Sequence, residues 1–245
     1  MKFSFEGIEK EKVEEIKPLS EKRSLIAAIE KAVKEGKTPI IAETKKASPS
    51  KGKITEIEPA EAAKLLENAG ACAISVLTDK HFGGKICHLR QVKKAVSLPV
   101  LRKDFIVDVF QLYESRGNGA NAVLLIASLL RDKTTEFVDK AHELGMEALV
   151  EVHGEEDVEY ALKSAARLIG INNRDLGNFK VDLGTTQHLA RQIPKNRIIV
   201  AESGIESRQD ILVLKKAGAN AFLIGTSIMS SEDIGKKLKE LAGKR

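Results

Sequence analysis

The chain has 245 residues, 42% of them hydrophobic, with eight Phe, two Tyr and no Trp; one α/β barrel or two smaller domains would fill that length. Forty Lys and Arg against 35 Asp and Glu leave a formal charge of +5, with no basic block interleaved with aromatics, so the charges read as a solvated surface rather than a nucleic-acid or membrane partner site. Two cysteines, Cys72 and Cys87, make no disulfide framework or zinc knuckle, and with no signal-peptide core and no apolar run near ~18 residues the expected compartment is the cytoplasm.

Residues 1–38 are expected to form an N-terminal helical extension. Within it Ser20–Glu35 reads as a helix, with Ser20 as N-cap and Leu25, Ile26, Ile29 and Val33 on one face. It could close the bottom of a barrel or cover its mouth. From Pro39 onward one unit recurs: a short apolar run, a polar turn, then an amphipathic helical pattern. Strand Pro39–Glu43 leads to helix Pro59–Ala69, and Ala73–Leu77 to Arg90–Val96. Val100–Lys103 is followed by Val109–Arg116, and Ala122–Ile126 by Thr134–Leu144. Ala148–Val152 leads to Glu155–Ala165, and Leu168–Asn172 to Thr185–Gln192. Ile198–Ala201 and Arg208–Ala217, then Ala221–Ile224 and Asp233–Leu241, complete the series.

Eight apolar strands alternating with helices predict a parallel sheet closed into a (β/α)8 TIM barrel over residues 39–245, one domain overall. An open doubly wound sheet is the alternative. Its glycine fingerprint has one near-match, Gly117-Asn118-Gly119-Ala120-Asn121-Ala122. That string follows a helix and leads into a strand, the wrong context for a dinucleotide site.

Alternation along a barrel strand says which side chains face the lumen. By that parity Glu43, Lys45, Lys103, Glu151, Asn172, Arg174 and Glu202 converge at the carboxyl ends of strands, where active sites of such barrels are built. A balanced structural ion network is one use of these charges; acid–base chemistry on an anionic substrate is the other. For the second, a Lys among cations would have a lowered pKa, and a Glu in an apolar lumen a raised one. Strands seven and eight end in Glu202-Ser203-Gly204 and Ile224-Gly225-Thr226. Glycines and hydroxyls there, with helix starts at Ser207 or Asp233, suit a phosphate. His81, His88, His142 and His188 are expected at the surface. His153 follows Glu151 inward, but without partners at ligand spacing it is poor support for a metal.

Seven strings in order then become recognisable. They are Ile41-Ala42-Glu43-Thr44-Lys45-Lys46-Ala47-Ser48-Pro49-Ser50-Lys51-Gly52; Ser75-Val76-Leu77-Thr78 with Phe82-Gly83-Gly84; Leu101-Arg102-Lys103-Asp104-Phe105-Ile106; Leu149-Val150-Glu151-Val152; Gly170-Ile171-Asn172-Asn173-Arg174-Asp175-Leu176; Ala201-Glu202-Ser203-Gly204-Ile205; and Leu223-Ile224-Gly225-Thr226-Ser227. From about Ser20 to the C-terminus the chain resembles the indole-3-glycerol-phosphate synthase family of tryptophan biosynthesis. Thr44 stands where the family commonly has an aliphatic or aromatic residue.

The resemblance implies a lyase that closes the indole ring of 1-(2-carboxyphenylamino)-1-deoxyribulose 5-phosphate with loss of CO2 and water. It implies no cofactor and no metal. The partner is a small sugar-phosphate substrate, and the chain a monomer open to association with other tryptophan-pathway enzymes. Lys103 resembles the general acid of ring closure, and Glu151 the acid–base group of dehydration. Lys45 is similar to a residue that anchors the substrate and assists proton transfer, and Glu43 to one that orients lysines and substrate. Asn172 and Glu202 resemble hydroxyl-positioning residues, and Arg174 a loop residue that steadies the site. Ser203, Gly204, Gly225 and Thr226 correspond to phosphate binders. Ser48, Ser75, Phe82, Phe105 and Leu176 resemble the lining of the anthranilate pocket. Isomerase barrels that share the phosphate end lack Glu43-x-Lys45 together with Lys103. A barrel that only binds phosphate ligands would not need Lys103 and Glu151.

Overall fold

The computed structural model describes residues 23–48, 52–175, 177 and 179–243. Helix α1 (Leu25–Lys34) precedes strand β1 (Ile40–Thr44). Then come α2 (Pro59–Ala69), β2 (Ala73–Leu77), α3 (Ile86–Ala95), β3 (Val100–Lys103), α4 (Val109–Gly117) and β4 (Ala122–Ile126). They are followed by α5 (Thr134–Glu143), β5 (Glu147–Val152), α6 (Glu155–Lys163), β6 (Leu168–Asn172) and α7 (Gly184–Leu189). The series ends with β7 (Ile198–Glu202), α8 (Arg208–Lys216), β8 (Ala221–Ile224) and α9 (Ile234–Ala242). The strands are parallel and close into a barrel in the order β1-β8-β7-β6-β5-β4-β3-β2, with β2 pairing back to β1. A two-residue antiparallel pair, Ala47–Ser48 with Gly52–Lys53, sits in the β1–α2 connection.

The register produces two apolar layers, because successive side chains of a strand face opposite sides. Ile41, Ala73, Leu101, Ala122, Leu149, Leu168, Val200 and Leu223 point into the lumen. Ile40, Ala42, Val76, Val123, Val150, Ile171 and Phe222 point outward under the helices. The inward set continues upward as the polar set, so parity places the charges where the sequence puts them.

Helix α1 closes the bottom of the barrel: Leu25, Ile29 and Ala32 are buried in the inner cluster. That settles the two placements considered above for the described part of the extension. The helix begins at Leu25 with Ser24 as N-cap, the Ser24 hydroxyl accepting from the Ala27 N–H; Ser20 lies outside the described residues. Glu147, at the foot of β5, accepts from the N–H groups of Leu25 (2.6 Å) and Ile26 (3.1 Å) and from the Ser24 hydroxyl (2.5 Å). A carboxylate at the positive end of a helix satisfies donors that otherwise lack partners. Arg23 ties the same end to the carbonyls of Val96 and Leu98. Removing the buried Ile29 side chain leaves a cavity in a layer with no slack. Ile29→Ala is therefore expected to cost about 2–5 kcal/mol, measured by urea unfolding; a loss under about 0.5 kcal/mol would contradict the plug.

Several boundaries move from their sequence positions. Helix α3 starts at Ile86, four residues before Arg90, and it carries His88 inward. His88 is accordingly buried while His81, His142 and His188 are exposed. Burial, then nearby Lys46, holds the His88 imidazole below the usual range. Two short helices fall outside the expected set, Ala127–Leu130 after β4 and Thr226–Met229 after β8. Cys72 is buried and Cys87 exposed, both as free thiols. Among the described residues no helix is long and apolar enough to cross a membrane.

Candidate active site

At the carboxyl ends of the strands a cavity of about 290 Å³ opens. Its lining includes Glu43, Lys45, Phe82, Lys103, Phe105, Glu151, Asn172, Arg174, Glu202, Ser203, Gly204, Gly225 and Thr226, so thirteen expected residues are brought together. Ser75 sits deeper, beside Glu43 in the β1–β2 register, with its hydroxyl fully buried and without a hydrogen-bond partner. Leu176 and the side chain of Ser48 lie outside the described residues.

Lys103 is the centre of the charge arrangement. Its Nζ donates to Glu151 Oε2 at 3.1 Å and stands 3.3 Å from Glu202 Oε2. Both carboxylates are about 1% exposed. A second pair, Lys45 Nζ to Glu43 Oε1 at 2.8 Å, lies alongside. Missing side chains make room for these groups. A methyl on Gly170, the neighbour of Glu151 on β6, would lie 2.3 Å from Glu202 Oε1. A methyl on Gly225 would lie 2.4 Å from Glu43 Oε1 and 3.0 Å from Lys45 Cε.

The lysine departs from the sequence expectation, while the expected raised carboxyl is present. Burial works against the Lys103 ammonium, but Glu151, Glu202 and Glu43 together push its pKa up, not down. Lys103 faces three carboxylates, while Lys45 pairs with Glu43 and Arg174 is turned to the Phe179 carbonyl. Burial likewise opposes ionisation of Glu151, and Lys103 and His153 overcome it, holding this carboxyl below the ordinary range. The raised carboxyl is Glu202, which burial and its neighbours Glu151 and Glu43 push up to about 8 against the pull of Lys103. One ammonium flanked by two buried carboxyls thus leaves one ionised and the other carrying a proton at neutral pH.

Opposite walls differ in character. On one side Phe82 and Phe105 meet with ring centroids 6.3 Å apart, forming an apolar rim. On the other, the loops after β7 and β8 bring small residues together. Ser203 (φ 63°) and Gly204 (φ 75°) are both left-handed, so the chain turns sharply where it leaves β7. The Gly204 position must be bare, since a Cβ there would lie 2.3 Å from Val181 Cγ1. Ser227 Oγ donates to the Ile205 carbonyl and ties the two loops. The helix starts expected to aid an anion here are occupied. Ser207 and Asp210 cap α8, and Asp233 accepts from the Lys236 N–H at the start of α9. The short helix Thr226–Met229 follows β8 directly instead.

Other contributors carry no sequence signal of their own. Arg102 points away from the lumen and is buried; it bonds Thr78, Asp104, Gln111 and Ser115 and pairs with Glu114. It thereby pins the turn that holds Lys103 and Phe105. Asn173 does the same beneath Ser203, donating to the carbonyls of Glu202 and Ser203 and accepting from Thr186. Arg174 Nη1 donates to the Phe179 carbonyl and its backbone bridges Val181, so the loop doubles back and sets Val181 against Gly204. Leu77, Leu124, Ile126 and Leu223 also line the cavity. Inward parity alone could have found them. Among the described residues no three His, Cys, Asp or Glu side chains come together as a metal-holding group.

Comparison with known proteins adds three findings. Residues 5–241 match the family model described as indole-3-glycerol phosphate synthase, a match that begins ahead of Ser20. The chain is 46% identical to the indole-3-glycerol phosphate synthase of Caldanaerobacter subterraneus subsp. tengcongensis over 98% of this chain and 96% of the relative. It is 48% identical to that of Aquifex aeolicus, over 95% and 92% respectively. Among solved structures, a thiamine phosphate pyrophosphorylase from Pyrococcus furiosus superposes with a TM-score of 0.61 at 16% identity, covering 83% of this chain and 93% of that one, a likeness of fold alone.

Proposed function

The chain belongs to the indole-3-glycerol phosphate synthase family, and from that premise we propose that it is a carboxy-lyase that closes the indole ring of 1-(2-carboxyphenylamino)-1-deoxyribulose 5-phosphate. The observation that carries the reading is the Lys103 ammonium held between Glu151 and Glu202 in a cavity lined also by Phe82 and Phe105 and by Ser203, Gly204, Gly225 and Thr226. The substrate has the same polarity: an aromatic carboxylate at one end and a phosphate at the other.

The residues divide the work as follows. Ser203, Gly204, Gly225 and Thr226 take the phosphate. Ser48, Ser75, Phe82, Phe105 and Leu176 receive the anthranilate ring, with Arg174 steadying the loop above it. Anchors at both ends bring the carboxylated ring carbon over the sugar carbonyl carbon, an orientation contribution. As that carbon attacks, the carbonyl oxygen gains charge and takes a proton from Lys103, whose raised pKa keeps it an ammonium until then. CO2 leaves, its bonding electrons restoring the ring. Dehydration follows: Glu151, kept ionised, takes a proton from the carbon next to the one bearing the new hydroxyl, and the Lys45 ammonium gives that hydroxyl the proton with which it departs as water. Lys45, aligned by Glu43, binds the substrate carboxylate and assists proton transfer. Asn172 and the protonated Glu202 hold the sugar hydroxyls. Every step is assigned to this chain's own side chains. The same reading takes the protein as one domain, acting as a cytoplasmic monomer.

The test is product analysis. Incubation with the substrate is expected to release one CO2 per indole product, identified by mass; unchanged substrate would refute the reading. The gap at Gly170 gives a second prediction. Gly170→Ala pushes the Glu202 carboxyl off its position, so kcat should drop about tenfold or more while phosphate affinity stays unchanged. An undiminished kcat would show that the gap has no catalytic use.

A further inference from the structure

One lumen residue has no part in this scheme. His153, one residue beyond the end of β5, is turned inward beside Glu151. Its Nε2 stands 3.2 Å from Glu151 Oε1, the oxygen that Lys103 leaves unoccupied. Its Nδ1 stands 3.8 Å from Asp157 Oδ2 on the first turn of α6, and that same oxygen accepts from the His153 N–H at 2.8 Å. Asp157, His153, Glu151 and Lys103 therefore alternate in charge along one line into the site.

We propose that His153 is a positioning residue for Glu151, held by Asp157 and fixing through Nε2 the carboxylate oxygen that faces away from Lys103. The inference rests on the proposed role of Glu151 in dehydration. Lys103 holds one oxygen by a hydrogen bond, and His153 attracts the other by charge, its Nε2 making no directed hydrogen bond, so the carboxylate is drawn from both sides. A Glu side chain has three rotatable bonds, and Lys103 alone would restrain one oxygen only.

The charges around the ring support this arrangement. Glu151 on its own strand and Asp157 on α6 are the charged groups that act on it. Asn172 of β6 is directed at Glu151, and Lys103 of β3 and Glu202 of β7 stand beyond that carboxylate. Burial works against the imidazolium, but the two carboxylates more than offset it and push the His153 pKa up to about 9. The ring is thus a cation at neutral pH and loses its charge near pH 9. Above that pH Glu151 retains Lys103 as its one cation.

The experiment compares wild type with His153→Gln and Asp157→Asn across pH. His153→Gln keeps a neutral donor and removes the charge. The ratio of wild-type to His153→Gln kcat should be about tenfold at pH 7 and shrink toward one as pH passes 9, with KM changing less than about twofold. Using the ratio cancels any other titration common to both proteins. If the glutamine variant does not fold, Asp157→Asn carries the same test: its imidazolium titrates lower, so a deficit should appear between that lower midpoint and pH 9 and vanish above it. NMR titration of the His153 ring, without substrate, should give a midpoint near 9 in wild type and a lower one in Asp157→Asn. Absence of turnover in wild type would remove the proposed function, with the NMR midpoints still deciding the ion-pair geometry. A ratio that is one at pH 7, or constant with pH, would overturn the inference, as would a His153 midpoint near 6.5 in wild type.

Discussion

Lys103→Ala is expected to lower kcat for indole formation by about 10³-fold or more while phosphate affinity changes little. The ammonium is the one donor that geometry places between both buried carboxyls and the reacting end of the cavity. Without it the developing alkoxide loses the donor that stands between the two carboxyls. Stability should fall too, and in a pH-dependent way. Wild-type Glu151 has a depressed pKa, so its stabilising contribution is present above the ordinary carboxylate range and lost as pH falls through it. In the variant both carboxyls are buried without their cation and their pKa values rise. Their folded state is then favoured at low pH and penalised as pH rises. The deficit against wild type should be about 3–5 kcal/mol near pH 8 and should shrink toward pH 5. Denaturant unfolding at the two pH values measures it; an equal deficit at both would contradict the electrostatic account.

Glu151→Gln should lower kcat by about 10²–10⁴-fold for a different reason. Glutamine keeps the shape and the contact to Lys103 but cannot accept a proton. Ring closure and loss of CO2 depend on Lys103, so they should continue. A species one water heavier than the indole product should accumulate, detectable by mass in quenched single-turnover samples. The change also redistributes charge, since Lys103 is left with Glu202 as its closest carboxylate. Glu202 loses the negative neighbour that raised its pKa and should ionise more readily. If the variant accumulates nothing and keeps its rate, Glu151 is not the dehydration base.

The two variants separate what the fold achieves from what the charges do. Strand register fixes the heights of Glu43, Lys103, Glu151, Asn172 and Glu202, and period-two alternation was enough to choose them. β2, β3, β4, β6 and β8 lie at the residues expected, because continuous β-branched runs bounded by helix stops have few alternatives. Most barrel-helix starts also fall where expected, Pro59, Val109, Thr134, Glu155 and Arg208 among them, but two starts were harder. Ile86–Cys87–His88 follows two glycines and reads as loop, yet α3 begins there because Leu89 and Val92 must reach the core. In α1 the cap is Ser24 because Glu147, far along the chain, fixes that end. Pairing was the least legible feature. The sequence brings three cations and three carboxylates to one lumen but not which touches which. A raised carboxyl in the lumen was expected and is Glu202, whereas the lysine is raised rather than lowered because Lys103 stands among carboxylates. Arg102 and Asn173 point away from the lumen, and their bonds to the turns beneath Phe105 and Ser203 show their use.

The most direct measurement exploits the absence of Trp from the chain. With two Tyr as the other long-wavelength absorbers, the protein contributes little fluorescence to mask an indole. Wild type and Lys103→Ala, mixed with the carboxyphenylamino sugar phosphate in a stopped-flow cell, should differ completely. The account predicts an indole fluorescence rise with wild type and none on the same time scale with Lys103→Ala. An equal rise with both, or none with wild type, would contradict it.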